Sequence, residues 1–164
     1  MPTFRLLARV AAPLSTFALV TASIGVSAAG AGGTTCEVVK EAEVERAVGH
    51  DVTAADPPQG VGGTCSFTVD GSPADAVNVW VLDGDDAKTA LEVGKQIGGK
   101  DAVDVPKLGD DAIYLGDPLN TAYVLKDGTL VYLQYYVFSG DDSPKQIKRA
   151  VVAMTKKAIR RAQS

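Results

Sequence analysis

Thr121 to Phe138, TAYVLKDGTLVYLQYYVF, is the stretch that decides the architecture. Asp127-Gly128 supplies two residues that tolerate the left-handed backbone of a type I′ turn, so the spacing predicts a β-hairpin with Lys126 opposite Thr129. From that register Leu125 opposes Leu130 and Tyr123 opposes Tyr132 on one face. On the other, Val124 opposes Val131 and Ala122 opposes Leu133, and the strand continues through Tyr135 and Val137. Both faces are largely apolar, which suits a strand in the middle of a sheet that is packed on both sides, or packed on one side with a half-wet aromatic face opposite. The face carrying Tyr123, Leu125, Leu130, Tyr132, Gln134 and Tyr136 is therefore either a second core face or a platform for apolar or glycan ligands.

Working backwards, Gly109-Asp110-Asp111 is a tight acidic turn leading into a strand that ends near Leu115, and Val103-Asp104-Val105-Pro106 precedes it. Thr64 to Val69 alternates, with Cys65, Phe67 and Val69 on one side. Asp70-Gly71-Ser72-Pro73 reads as a turn into a strand over 76–82, where Val77, Val79 and Val81 face one way and Asn78, Trp80 and Leu82 the other. Trp80 thus joins Tyr123, Tyr132, Gln134 and Tyr136 as a candidate binding face. A helix capped by Asp85 or Asp86 runs to about Ile97 before Gly98-Gly99, with Ala87, Ala90, Leu91 and Ile97 as its apolar stripe. Asp83-Gly84-Asp85-Asp86 does not have EF-hand spacing: Lys88 stands where the loop glycine belongs.

Cys36 to Gly49 reads as a turn and a short helix. Val44, Ala47 and Val48 form its apolar side, Glu41, Glu43 and Glu45 a solvated face near its positive end, and Gly49 its left-handed stop. Residues 50 to 63, with Pro57-Pro58 and three glycines, read as a loop. At the other end Ser143-Pro144-Lys145-Gln146 is a capping box with proline in the first helical position. Ile147, Val151, Met154 and Ala158 make the apolar stripe of the helix that follows.

Residues 1 to 28 carry Arg5 and Arg9 ahead of a charge-free apolar run and a small-residue end, the pattern of a cleaved secretory signal, with cleavage after Ala28 or Ala31. Thr34-Thr35 before Cys36 is not a lipobox, so the expectation is a free, secreted chain: 29–35 as a flexible segment and 36–164 as one domain. Without Arg5 and Arg9 the chain keeps 14 basic and 20 acidic side chains, net −6. The only two cysteines, Cys36 and Cys65, are expected to form a disulfide in an oxidising compartment. Charge is segregated: residues 141 to 164 hold seven cations and two aspartates, while 29 to 140 hold seven cations and eighteen acids. Lys145, Lys148, Arg149, Lys156, Lys157, Arg160 and Arg161 are accordingly candidate contacts to an anionic envelope polymer or lipid head groups, against a simpler reading in which helix dipole and acidic body account for them. An exported acidic domain speaks against nucleic acid as a partner.

The order Cys36, Glu43-Val44, Gly49, Cys65-Ser66-Phe67, then Gly109-Asp110-Asp111-Ala112-Ile113-Tyr114, then a strand pair and a long terminal helix, resembles a family of small secreted proteins and lipoproteins of actinobacteria. The element order is also similar to that of the photosystem protein PsbP and the nuclear-transport factor Mog1. The resemblance implies an antiparallel sheet with helices on its faces and lends no activity. Lys40 stands where the family has a capping threonine.

The residues themselves predict an α+β fold with a mainly antiparallel sheet of about five strands. No motif calls for a metal or cofactor, and no catalytic residue is assigned. The expected function is a non-enzymatic secreted binding or accessory protein of the cell envelope, acting on a polymer, lipid head groups or another envelope protein. The alternative is a hydrolase-like enzyme built on Asp110-Asp111 or Asp85-Asp86, which requires those turns to meet Tyr114 or Tyr136 in one pocket.

Overall fold

A computed structural model describes residues 35–54, 64–138 and 142–164. The readings of a signal peptide with its two cleavage positions, of residues 29–34 and of the Pro57-Pro58 part of the 50–63 loop lie outside these residues, whereas Val52–Ala54 of that loop form a strand. The described chain is α+β. A 3₁₀ turn, Thr35–Glu37, precedes α1 (Glu41–Val48), β1 (Val52–Ala54), β2 (Cys65–Val69) and β3 (Ser72–Asp83). Then come α2 (Gly84–Gly98), β4 (Ala102–Asp104), β5 (Asp111–Leu115), β6 (Thr121–Lys126), β7 (Thr129–Tyr136) and α3 (Pro144–Ala162). The strands form one antiparallel sheet in the order β1-β2-β3-β7-β6-β5-β4, so β7, the second strand of the quoted hairpin, lies at its centre.

The hairpin has the expected register, from Lys126 opposite Thr129 to Ala122 opposite Leu133. Asp127 and Gly128 take φ of 47° and 81°, the left-handed pair that lets a two-residue loop match the strand twist. The sheet has seven strands where about five were expected. The two added ones, β1 and β4, are three-residue edge strands, too short to show a period of two. The β2–β3 turn is also tighter than read: Asp70 and Gly71 alone make it, and Ser72-Pro73 already belong to β3. The extra residues form a bulge before Ala76, where Asp75 accepts a hydrogen bond from the Phe138 N–H at 2.6 Å and so fastens the end of β7.

α1 and α3 cover one face. Val44 and Val48 of α1 and Ile147, Val151, Met154, Ala158 and Ile159 of α3 bury against Phe67, Val77, Val79, Val124, Val131, Leu133 and Tyr135. The α3 cap is as expected: Ser143 Oγ accepts from the Gln146 N–H, and the Gln146 side chain accepts from the Ser143 N–H. Cys36 and Cys65 are disulfide-bonded, which ties the chain ahead of α1 to the start of β2.

α2 covers the opposite face, through Ala87 and Leu91 packed with Ile113, Leu115, Tyr123 and Leu130. Its start and its stripe depart from expectation. The helix begins at Gly84 after Asp83, whose carboxylate accepts from Thr129 Oγ1 at 2.7 Å, while Asp85 and Asp86 lie in the exposed first turn. The third buried position is Gly94, and Ile97 is 60 % exposed. A side chain at 94 would collide with Tyr123: an added Cβ would stand 2.9 Å from Cζ of the ring. The helix therefore comes down closely at Gly94, and Ile97 points away from the sheet.

Candidate functional site

On the α2 face, the register places side chains in cross-strand rows. One row runs Leu82, Leu130, Leu125, Asp111, and the next runs Trp80, Tyr132, Tyr123, Ile113. Beyond them lie Ser66, Asn78, Gln134 and Thr121, and then Thr53, Thr68, Ala76 and Tyr136. α2 sits over the first two rows, where Leu130 of β7 and Ile113 of β5 are fully buried. Among the described residues no helix covers the last two rows at β2, β3 and β7, where Ser66, Thr68, Ala76, Asn78 and Tyr136 stay partly exposed, as does Trp80 at the β3 end of the row before them.

The candidate binding face is thus divided. Tyr123 is core, buried under Gly94, and burial raises its phenol pKa. Tyr132 stacks between its neighbours, 4.7 Å from the Tyr123 ring and 4.3 Å from the Trp80 ring at interplanar angles of 20° and 24°. Its hydroxyl donates to Gln134 Oε1 at 3.2 Å, and desolvation moves its pKa upward. Gln134 Nε2 in turn donates to the Leu119 carbonyl at 3.3 Å. Tyr136 stacks with Phe138 at 6.3 Å, and Phe138 is 76 % exposed. A covered tyrosine therefore anchors a ladder of rings whose far end, Trp80, borders an open patch of hydroxyl and amide side chains, with Tyr136 and Phe138 on its other side. Flat rings offering apolar faces beside fixed polar groups can hold the C–H faces and hydroxyls of a sugar.

The seven cations of the terminal helix separate into groups. Arg161 donates to both carboxylate oxygens of Glu43 and to the Val38 carbonyl, and Lys157 stands 3.5 Å from the same carboxylate. Lys148 lies 5.2 Å over the Tyr114 ring. Lys145, Arg149, Lys156 and Arg160 form no ion pair among the described residues. Glu43, read as part of a solvated face, is instead drawn under α3: the Arg161 bonds hold its carboxyl down at about 2, against the opposing push of burial.

The Asp110-Asp111 pair of the hydrolase reading has other partners, and Asp85-Asp86 lies exposed in the first turn of α2, on another element. Asp110 Oδ2 accepts from the Asp127 N–H at 2.7 Å and so braces the hairpin turn. Asp111 points the opposite way and pairs with Lys95 of α2 at 2.6 Å, which raises the Lys95 pKa. Tyr114 packs on the α3 face and donates to Asn120 Oδ1, while Tyr136 lies on the α2 face. The two tyrosines named for that pocket are thus on opposite sides of the sheet.

Sequence reasoning missed His50, a lone histidine after a helix stop. Its Nδ1 is 2.7 Å from Asp70 and its Nε2 is 3.5 Å from Asp142, which also accepts from the Tyr135 hydroxyl at 3.2 Å. This chain links the β2–β3 turn to the start of α3 beside a groove of about 370 Å³ that Arg46 and Arg149 help to line. No local signal marks it, because Asp70 and Asp142 are distant in sequence. Among the described residues no three His, Cys, Asp or Glu side chains cluster as metal ligands. Comparison with family models, with curated proteins and with solved structures finds no match to this chain.

Proposed function

We propose that the protein is an exported, non-enzymatic binding or accessory protein of the cell envelope, and that it holds a glycan on the open half of the α2 face. The observation that carries this reading is the Trp80–Tyr132–Tyr123 ladder, fixed at one end by α2 and bordered at the other by Ser66, Thr68 and Asn78. Rings already stacked in the free protein lose little freedom when a sugar is added, which favours affinity from few contacts. Gln134, in the polar row, is itself held by Tyr132 and by the Leu119 carbonyl.

The test is co-sedimentation of the folded chain with purified insoluble cell-wall polysaccharide, comparing the wild type with Trp80→Ala and Tyr136→Ala. Pelleting that falls about tenfold in either variant, with unfolding still cooperative, supports the reading. Equal pelleting of all three proteins, or no pelleting of the wild type, overturns it.

A further inference from the structure

We propose that the groove between the C-terminal half of α3, the β4–β5 loop and the end of β6 is a binding site for phosphate groups, held by Lys107, Lys126, Lys156 and Arg160. These four side chains come from three places: the loop between β4 and β5, the end of β6, and two successive turns of α3. They line one groove of about 260 Å³ floored by Leu108 and Ile159, both buried. None of the four makes an ion pair among the described residues. The single carboxylate in the lining, Asp110, is engaged by the Asp127 N–H. This inference does not depend on the glycan reading.

The helix dipole accounts for Lys156 and Arg160, which lie near the C-terminus of α3, but it says nothing about Lys107 or Lys126. Lys156 and Arg160 are also spaced i, i+4, so they repel each other unless an anion joins them. The facing elements are fixed and not free to spread apart. Gln163 Nε2 donates to the Lys126 carbonyl at 3.0 Å and to the Asp127 carboxylate at 3.2 Å, which fastens the last turn of α3 to the hairpin. Gly109 packs so tightly beneath that a Cβ would collide with the Leu125 carbonyl oxygen. Lys107 itself adopts φ of 64°, a turn conformation for which glycine or asparagine would be cheaper. Four cations over an apolar floor suit a compact, multiply charged oxyanion. Arg160 adds a planar fork that matches phosphate oxygens, and one carboxylate would leave most of this charge unanswered.

The test measures thermal stabilisation of the full chain by sodium tripolyphosphate at low ionic strength, together with pelleting by phosphatidylglycerol vesicles and by phosphatidylcholine vesicles. Two variants remove the groove from either side, Lys156→Glu/Arg160→Glu and Lys107→Ala/Lys126→Ala. A third, Lys145→Glu/Arg149→Glu, makes the same charge change elsewhere on α3. Stabilisation of the wild type that weakens about tenfold in both groove variants and survives in the third supports the proposal. Pelleting by phosphatidylglycerol alone then names a lipid head group as the source, and absence of pelleting names a soluble phosphate. No stabilisation of the wild type, equal loss in the third variant, or retention in Lys107→Ala/Lys126→Ala overturns it, because binding would then follow net charge and not this groove.

Discussion

Arg161, in the last turn of α3, grips the carboxylate of Glu43 in the first turn of α1, two residues 118 apart in sequence. The pairing is bidentate, with Nη2 at 2.7 Å from Oε1, and Lys157 approaches the same oxygen. The Glu43 side chain is only 16 % exposed, so the ions are partly shielded from water and the geometry is fixed. This contact joins the two helices that cover the main core.

Its pH dependence follows from the depressed Glu43 pKa. A carboxyl that titrates near 2 when folded and near 4.5 when unfolded stabilises the fold fully above the higher value. That stabilisation, on the order of 3 kcal/mol before allowance for residual solvation, fades as pH falls from about 4.5 to about 2. Glu43→Gln should therefore lower the urea midpoint at pH 7 and converge with the wild type near pH 2. A constant difference across that range would show that packing, not charge, accounts for the loss.

Gly94→Ala tests how closely α2 is seated. Helix propensity alone favours alanine by about 1 kcal/mol, yet the new methyl group would meet the Tyr123 ring. Overpacking of this kind costs about 1–3 kcal/mol, so the expected outcome is a less stable protein in spite of better helix propensity. Because Trp80 is the single tryptophan and is stacked on the same ladder, its emission should shift as well. A stabilised variant with unchanged emission would contradict the close approach.

The Cys36–Cys65 bridge closes a loop with a separation of 29 residues, for which chain entropy predicts roughly 3–4 kcal/mol. Reduction should lower the denaturation midpoint accordingly without changing the fold. The oxidised protein should weigh about 2 Da less than the dithiol, since the bridge removes two hydrogens. Two thiols that alkylate in the untreated folded protein would refute the bridge.

The sequence alone determined what local chemistry controls. Asp127-Gly128 set the hairpin register because only residues tolerant of positive φ fit a type I′ turn, and every cross-strand pair from Lys126 to Ala122 follows from it. Ser143, Pro144 and Gln146 marked the start of α3, and the 3.6-residue spacing of Ile147, Val151, Met154 and Ala158 marked its buried side. The tertiary structure alone decided how much of each face is covered. That α2 buries Tyr123 and leaves Trp80 and Tyr136 half open depends on where a 15-residue helix lands on a seven-stranded sheet, which no periodicity encodes. The partners of the charges were equally hidden. Lys157 and Arg161 look the same as Lys156 and Arg160 in the sequence, yet one pair faces Glu43 and the other faces Lys107 and Lys126 across a groove. Helix rotation against a distant surface sorts them, because an ion pair depends on distances of a few ångströms in space and not on spacing along the chain.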